Sequence, residues 1–182
     1  MRLALISGPS SCGKTTLSNR FRPQASVLRL DTVVRDCANR ACPYLRQFGS
    51  EDALFGCPDL WATLDHFADT WSVVQHVVDL HLLKSGAPRD VIIAESYHLR
   101  LQFWHARLLK ALGDPAMVRS YRLQVPLDRH RQQGQARGFI WTEEELLQQE
   151  SDFDATCQIE FDLTGTPEQV EPDLAQFLIR AA

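Results

Sequence analysis

The 182-residue chain is 45% hydrophobic and carries a formal net charge of −4, with its 19 lysines and arginines scattered along the sequence. That length and apolar content suit one compact domain with a real core and leave too little for two. Without a basic run, long-range attraction to nucleic acid or anionic lipid is not encoded, so a small-molecule partner is expected.

The five cysteines, Cys12, Cys37, Cys42, Cys57 and Cys157, are odd in number and form no Cys-x-x-Cys pair. This argues against a disulfide framework and a zinc knuckle, and favours the reducing cytoplasm. No apolar run approaches membrane-spanning length, and the first residues turn at once into a strand pattern, so neither a membrane span nor a signal peptide is expected.

In chain order, Leu3 to Ser7 reads as a fully buried strand and Lys14 to Phe21 as a helix that must stop before Pro23. Val27 to Leu30 is a second short strand ending at Asp31. Residues 32–59 are punctuated by Pro43, Gly49, Gly56 and Pro58 and read as irregular, with a short helix around Val33 to Arg40. Leu60, Leu64, Phe67, Trp71, Val74, Val78 and His81 or Leu82 recur at helical steps, one face toward a core, until Gly86 and Pro88.

Val91 to Ala94 is a continuous apolar strand of the parallel-sheet type, ending in Glu95 and followed by a helix to about Leu112, stopped by Gly113 and Pro115. Tyr121, Leu123 and Val125 alternate as a fourth strand. A polar, arginine-bearing segment from Asp128 to Trp141 follows, and Thr142 with Glu145 forms a capping box for a further helix. Ile159, Phe161 and Leu163 alternate as a fifth strand, and Thr166, Pro167 and Gln169 open the last helix. Alternation of strand and helix gives an α/β sandwich with a mainly parallel sheet, in which ligands collect beyond the carboxyl ends of the strands.

The stretch GPSSCGKTT at 8–16 satisfies Gly-x-x-x-x-Gly-Lys-Thr through Gly8, Gly13, Lys14 and Thr15, with a buried strand before it and a helix after it. Glycines let backbone N–H groups turn around a polyphosphate, and the helix N-terminus adds partial positive charge. Lys14 is expected to bridge the outer phosphates and the Thr15 hydroxyl to coordinate Mg²⁺. The candidate ATP-binding set is therefore Gly8, Ser10, Ser11, Cys12, Gly13, Lys14, Thr15 and Thr16.

Two acids at strand ends should face this cradle, Asp31 after the second strand and Glu95 after the third. A carboxylate there can hold Mg²⁺ or take the proton of an attacking hydroxyl. The lid, over about 128–150, brings arginines that can neutralise charge on a transferring phosphoryl group. Arg137, beside a hinge at Gly138, is the first candidate and Arg131 the second.

This order of parts resembles the P-loop kinases that phosphorylate nucleosides, most closely the uridine kinase and nicotinamide riboside kinase group. The group's second strand ends in an acidic pair whose first member is the catalytic base; here Leu30-Asp31-Thr32-Val33 keeps the first acid alone. Its third strand ends in Glu-Gly, where this chain has Glu95-Ser96. Arg119 to Pro126 is similar to the strand leading into the group's arginine-bearing lid, and Asp59, opening Asp59-Leu60-Trp61, resembles the aspartate that binds a ribose diol.

The resemblance implies a single three-layer P-loop NTPase domain of the nucleoside-kinase type, with a five-stranded sheet. It implies transfer of the γ-phosphoryl of ATP, with Mg²⁺, to a ribose hydroxyl. In that scheme Asp31, Lys14 and Arg137 are catalytic, Thr15 and Glu95 hold the metal, Arg131 helps bind ATP, and Asp31 and Asp59 bind the nucleoside; a homodimer is compatible with it. Gluconate-kinase-like enzymes and antibiotic phosphotransferases are a rival match, because their lid arginine also precedes an acidic helix, as Arg137 precedes Glu143-Glu144-Glu145. A regulatory ATPase acting through a protein partner is the alternative of another class.

Other features are discounted. His76 and His81 stand five apart, on different sides of a helix, and no His-Glu-x-x-His occurs, so histidine metal sites are not expected. Of Trp61, Trp71, Trp104 and Trp141, the last is the candidate for a base-stacking platform. Cys12, near a helix N-terminus and Lys14, is expected to be a packing residue, with a stabilised, oxidisable thiolate as the alternative.

Overall fold

The computed structural model describes residues 1–33, 36, 78–84, 90–113 and 115–179. The central strand β1 (Arg2–Ser7) is buried along its whole length and leads through the glycine-rich loop into α1 (Lys14–Arg20). Next come β2 (Ser26–Arg29) and β3 (Val91–Glu95), a 3₁₀ turn at Tyr97–Arg100, then α2 (Gln102–Ala111) and β4 (Met117–Leu123). The chain closes with α3 (Leu127–Gln135), α4 (Glu143–Thr156), β5 (Leu163–Gly165) and α5 (Pro167–Ile179).

The five strands form one parallel sheet in the order β2-β3-β1-β4-β5. Period-two alternation divides β1 and β3 between two cores. Leu3, Leu5, Ile92 and Ala94 pack with Leu99, Leu108, Ala111 and the helical residues Val78 and Leu82. Ala4, Ile6, Val91 and Ile93 pack on the other face with Leu17, Phe21, Val170, Leu174 and Phe177. A strand apolar on both sides has its backbone paired within the sheet, which is why continuous runs such as Val-Ile-Ile-Ala sit at its centre.

Among the described residues the expected order of elements is found, with local corrections: the fourth strand, expected over Tyr121 to Val125, starts at Met117 and ends at Leu123. The helix ending near Leu112 stops as expected, with Gly113 left-handed at φ 73°. It is preceded by a separate 3₁₀ turn capped by Ser96, whose hydroxyl accepts from His98 N–H. The Thr142–Glu145 capping box is complete.

The fifth strand is displaced from the expected Ile159–Leu163 alternation to Leu163–Gly165. Pairing with β4 starts only at Tyr121 and Leu163. Just before it, Asp162 is diverted into side-chain bonds, accepting from both the backbone N–H and the hydroxyl of Ser120. The second strand stops at Arg29, so that Asp31, expected at its end, falls two residues past it, in a helical turn at 30–33. Most of the irregular 32–59 segment, most of the 60–82 helix, and Trp61 and Trp71 lie outside the described residues, although Val78 and Leu82 have the buried face expected of them.

Candidate active site

The loop after β1 takes its shape from backbone that few residues adopt. Gly8 (φ 149°) and Gly13 (φ 97°) are both left-handed, and Ser11 (φ 59°) is the non-glycine residue with positive φ among the described residues. At Gly8 a side chain has no room: a Cβ would stand 2.5 Å from the Leu123 carbonyl oxygen and 2.8 Å from Cys12 Sγ. Gly13 caps α1, and no side chain bonds the first N–H groups of that helix. Its macrodipole therefore faces the loop, as anion binding requires.

Lys14 curls over this loop, its ammonium donating to the carbonyl oxygens of Gly8 (2.8 Å) and Pro9 (2.6 Å). Thr15 and Thr16 are exposed on the first turn of α1. Cys12 lies beneath the loop, fully buried in the core with Ile6, Leu17 and Leu123. Burial raises its thiol pKa against the pull of the nearby Lys14 charge, which favours the packing role over a stabilised thiolate.

The end of β3 brings the acids in. Thr15 Oγ1 donates to Glu95 Oε2 at 3.0 Å, and Arg29 Nε, at the end of β2, stands 3.5 Å from Glu95 Oε1. Glu95 is 4% exposed, and burial raises its pKa against the pull of Thr15, Lys14 and Arg29. Its Oε1 is buried and receives no hydrogen bond. The next residue, Ser96, donates its hydroxyl to Asp31 Oδ1 while its backbone N–H bonds to the Ile6 carbonyl. Consecutive residues thus tie the phosphate loop to one acid and position the other.

A hydroxyl beside a buried carboxylate is a suitable donor set for Mg²⁺, a hard cation that keeps few protein ligands. Thr15 and Glu95 fit it. Among the described residues no group of three or more His, Cys, Asp or Glu is arranged to hold a metal, so a divalent cation here would rest on this pair together with substrate phosphate and water.

The lid approaches from the other side, and the structure separates its arginines. Arg137 Nη1 lies 3.2 Å from Ser11 Oγ in the phosphate loop. Arg131 instead faces acids of the lid itself, Glu143 at 3.4 Å and Asp128 at 3.9 Å. Gly138 (φ 84°) ends α3: its N–H bonds to the Gln135 carbonyl and that of Phe139 to Gly134, the paired bonds of a Schellman motif. Arg137 is therefore fixed at the last position before the turn.

Sequence reasoning missed several residues that shape the site. His130 is fully buried and bonds through Nε2 to the Ser10 carbonyl. Arg129 forms a two-pronged pair with Glu168 (2.7 and 2.6 Å), joining α3 to α5 and holding the Glu168 carboxyl down at about 2. Ser96 registers in the sequence only as a departure from Glu-Gly, though a serine between a strand and a turn is itself a capping signal. Trp141 packs within the lid, stacked on Phe139 and set over Gly134, and so is not an open base platform. Asp59 lies outside the described residues.

No protein-family model matches the chain, and no curated protein matches it. Solved structures do. TT1252 from Thermus thermophilus superposes with a TM-score of 0.54 at 16% identity, over 99% of this chain and 98% of that one. A gluconokinase from Sinorhizobium meliloti 1021 gives 0.52 at 12% identity (97% and 91%), and a sugar kinase from Janibacter sp. HTCC2649 gives 0.50 at 16% (98% and 94%). At such identities the likeness is one of fold: a parallel α/β sheet with flanking helices, shared with these three structures.

Proposed function

We propose that the chain is an ATP-dependent kinase that transfers the γ-phosphoryl group to a hydroxyl of a small molecule, with the ribose hydroxyl of a nucleoside-like compound as the first acceptor to test. The observation that carries this reading is the pair Glu95 and Ser96. One contacts Thr15 of the cradle and the other holds Asp31, which supports a role for Asp31 beside the phosphate cradle.

In this reading Asp31, oriented by Ser96, takes the proton of the acceptor hydroxyl as its oxygen bonds to the γ-phosphorus and the bond to the bridging oxygen of ADP breaks. Lys14 and Arg137 neutralise the charge that builds on the phosphoryl oxygens. Thr15 and Glu95 would hold Mg²⁺, which when bound supplies further positive charge at the phosphates. Asp59 would contact the acceptor's diol.

A sugar acid is the second acceptor class, favoured by the gluconokinase and the sugar kinase that share the fold. A cytoplasmic setting is part of the proposal and rests on the odd cysteine count and the lack of a Cys-x-x-Cys pair. The test is ADP release with ATP and Mg²⁺ across nucleosides, nicotinamide riboside, sugar acids and hydroxylated antibiotics. Stimulation by compounds with an intact cis-diol, lost in Asp59→Ala, supports the nucleoside class; stimulation by sugar acids alone transfers the proposal to them. Slow ATP hydrolysis that no acceptor accelerates would return the chain to the class of nucleotide switches.

A further inference from the structure

Starting from the phosphate loop, a continuous set of contacts runs through the lid and returns to the same loop. The Ser10 carbonyl accepts from His130 Nε2. The His130 ring meets Trp141 edge-on, centroids 5.7 Å apart at 71°. Trp141 stacks on Phe139 at 4.9 Å and 5°. The Arg137 guanidinium carbon sits 5.8 Å from the Phe139 ring centroid, and Arg137 Nη1 reaches Ser11.

Two residues leave this circuit little slack. A Cβ on Gly134 would stand 2.6 Å from the Trp141 ring, so only glycine lets the indole lie against α3. His130 is 0% exposed, and its Nδ1 is buried without a partner. With Nε2 donating to a carbonyl, the ring is the neutral Nε2–H tautomer, in line with burial lowering its pKa. Phe139, by contrast, is 45% exposed. An aromatic ring left at the surface, flat against a tryptophan and beneath an arginine, is poorly explained by core packing.

We propose that Phe139 and Trp141 are positioning residues: they hold the Arg137 guanidinium over the phosphate loop so that it need not be ordered when charge develops on the transferring phosphoryl group. This rests on the kinase reading only in that Arg137 meets phosphoryl oxygens, and it applies equally to transfer to water. A long side chain loses rotamer freedom on being fixed, and an aromatic face that restrains it beforehand removes part of that cost from the reaction step.

The test is a double-mutant cycle on Phe139→Leu and Arg137→Ala, read on kcat for the best acceptor and on acceptor-independent ATP hydrolysis. Phe139→Leu should lower kcat roughly tenfold, leave KM for ATP within about twofold, and cost nothing further once Arg137 is alanine. Phe139→Tyr, which keeps the ring, should restore activity. Equal losses in both backgrounds, or no loss with Phe139→Leu, would overturn the proposal. Hydrolysis that depends on Phe139 without any acceptor stimulation would sink the kinase reading and leave the positioning role intact. Acceptor phosphorylation indifferent to Phe139 would do the reverse, and absence of any turnover would remove both.

Discussion

Around the phosphate loop two side chains are tied to main chain, Lys14 to the carbonyls of Gly8 and Pro9 and His130 to that of Ser10, whereas Arg137 reaches the Ser11 hydroxyl. On the acceptor side the acids are held by other side chains, Asp31 by the Ser96 hydroxyl and Glu95 by Thr15 and Arg29. Carbonyl anchors survive most substitutions because every residue supplies one. Hydroxyl and guanidinium anchors vanish with a single change. Apart from the Arg137–Ser11 contact, the donor half thus rests on anchors that most substitutions leave in place, whereas the acceptor half can be retuned one residue at a time.

The largest effect should come from Asp31→Asn, which keeps the shape and removes the base. Turnover should fall by about 10²- to 10⁴-fold while affinity for ATP, measured by calorimetry, stays close to that of the unmodified chain. A parallel loss of ATP affinity would mean that the two halves are not separable. On the donor side, Gly8→Ala should cost stability as well as binding, by about 3 kcal/mol in chemical denaturation, because the new methyl meets a backbone carbonyl in the left-handed region.

Ser96→Ala should be milder. It removes the hydroxyl bond to Asp31 and uncaps the 3₁₀ turn, so roughly a tenfold drop in kcat is expected, with Ser96→Thr recovering most of it. If Ser96→Ala matched Asp31→Asn, the serine would have a direct part in the chemistry.

Acid should reach both halves. Burial depresses His98 from 6.5 to about 4 and lowers His130 and His105 in the same direction. The unfolded chain takes up these protons first, so folding stability should decline as pH falls from 6.5 toward 4. His98→Gln should flatten part of that slope in urea midpoints measured across the range. The smallest effect belongs to Arg131→Ala: its partners are exposed acids, and both kcat and stability should barely move.

Legibility in the sequence followed the range of the interaction. Gly8 to Thr15 could be read because a phosphate loop is local: strand, glycines at fixed steps, lysine and hydroxyl, helix. The Thr142–Glu145 box and the Gly113 stop were legible for the same reason, since each is completed within a few residues. Periodicity misplaced β5 because the alternation of Ile159, Phe161 and Leu163 cannot register that Asp162 is claimed by Ser120, 42 positions away.

By itself, then, the sequence determined the parallel α/β layering, the glycine-rich turn and the acid at the end of β3, because hydrophobic period and backbone conformation are set by neighbours along the chain. Only the tertiary structure decided that Arg137 and not Arg131 reaches the loop, that Ser96 positions Asp31, and that Cys12 is sealed in the core. Those outcomes depend on pairs such as Arg137 with Ser11, separated by 126 positions. No local pattern records which of two nearby arginines the folded lid will turn inward.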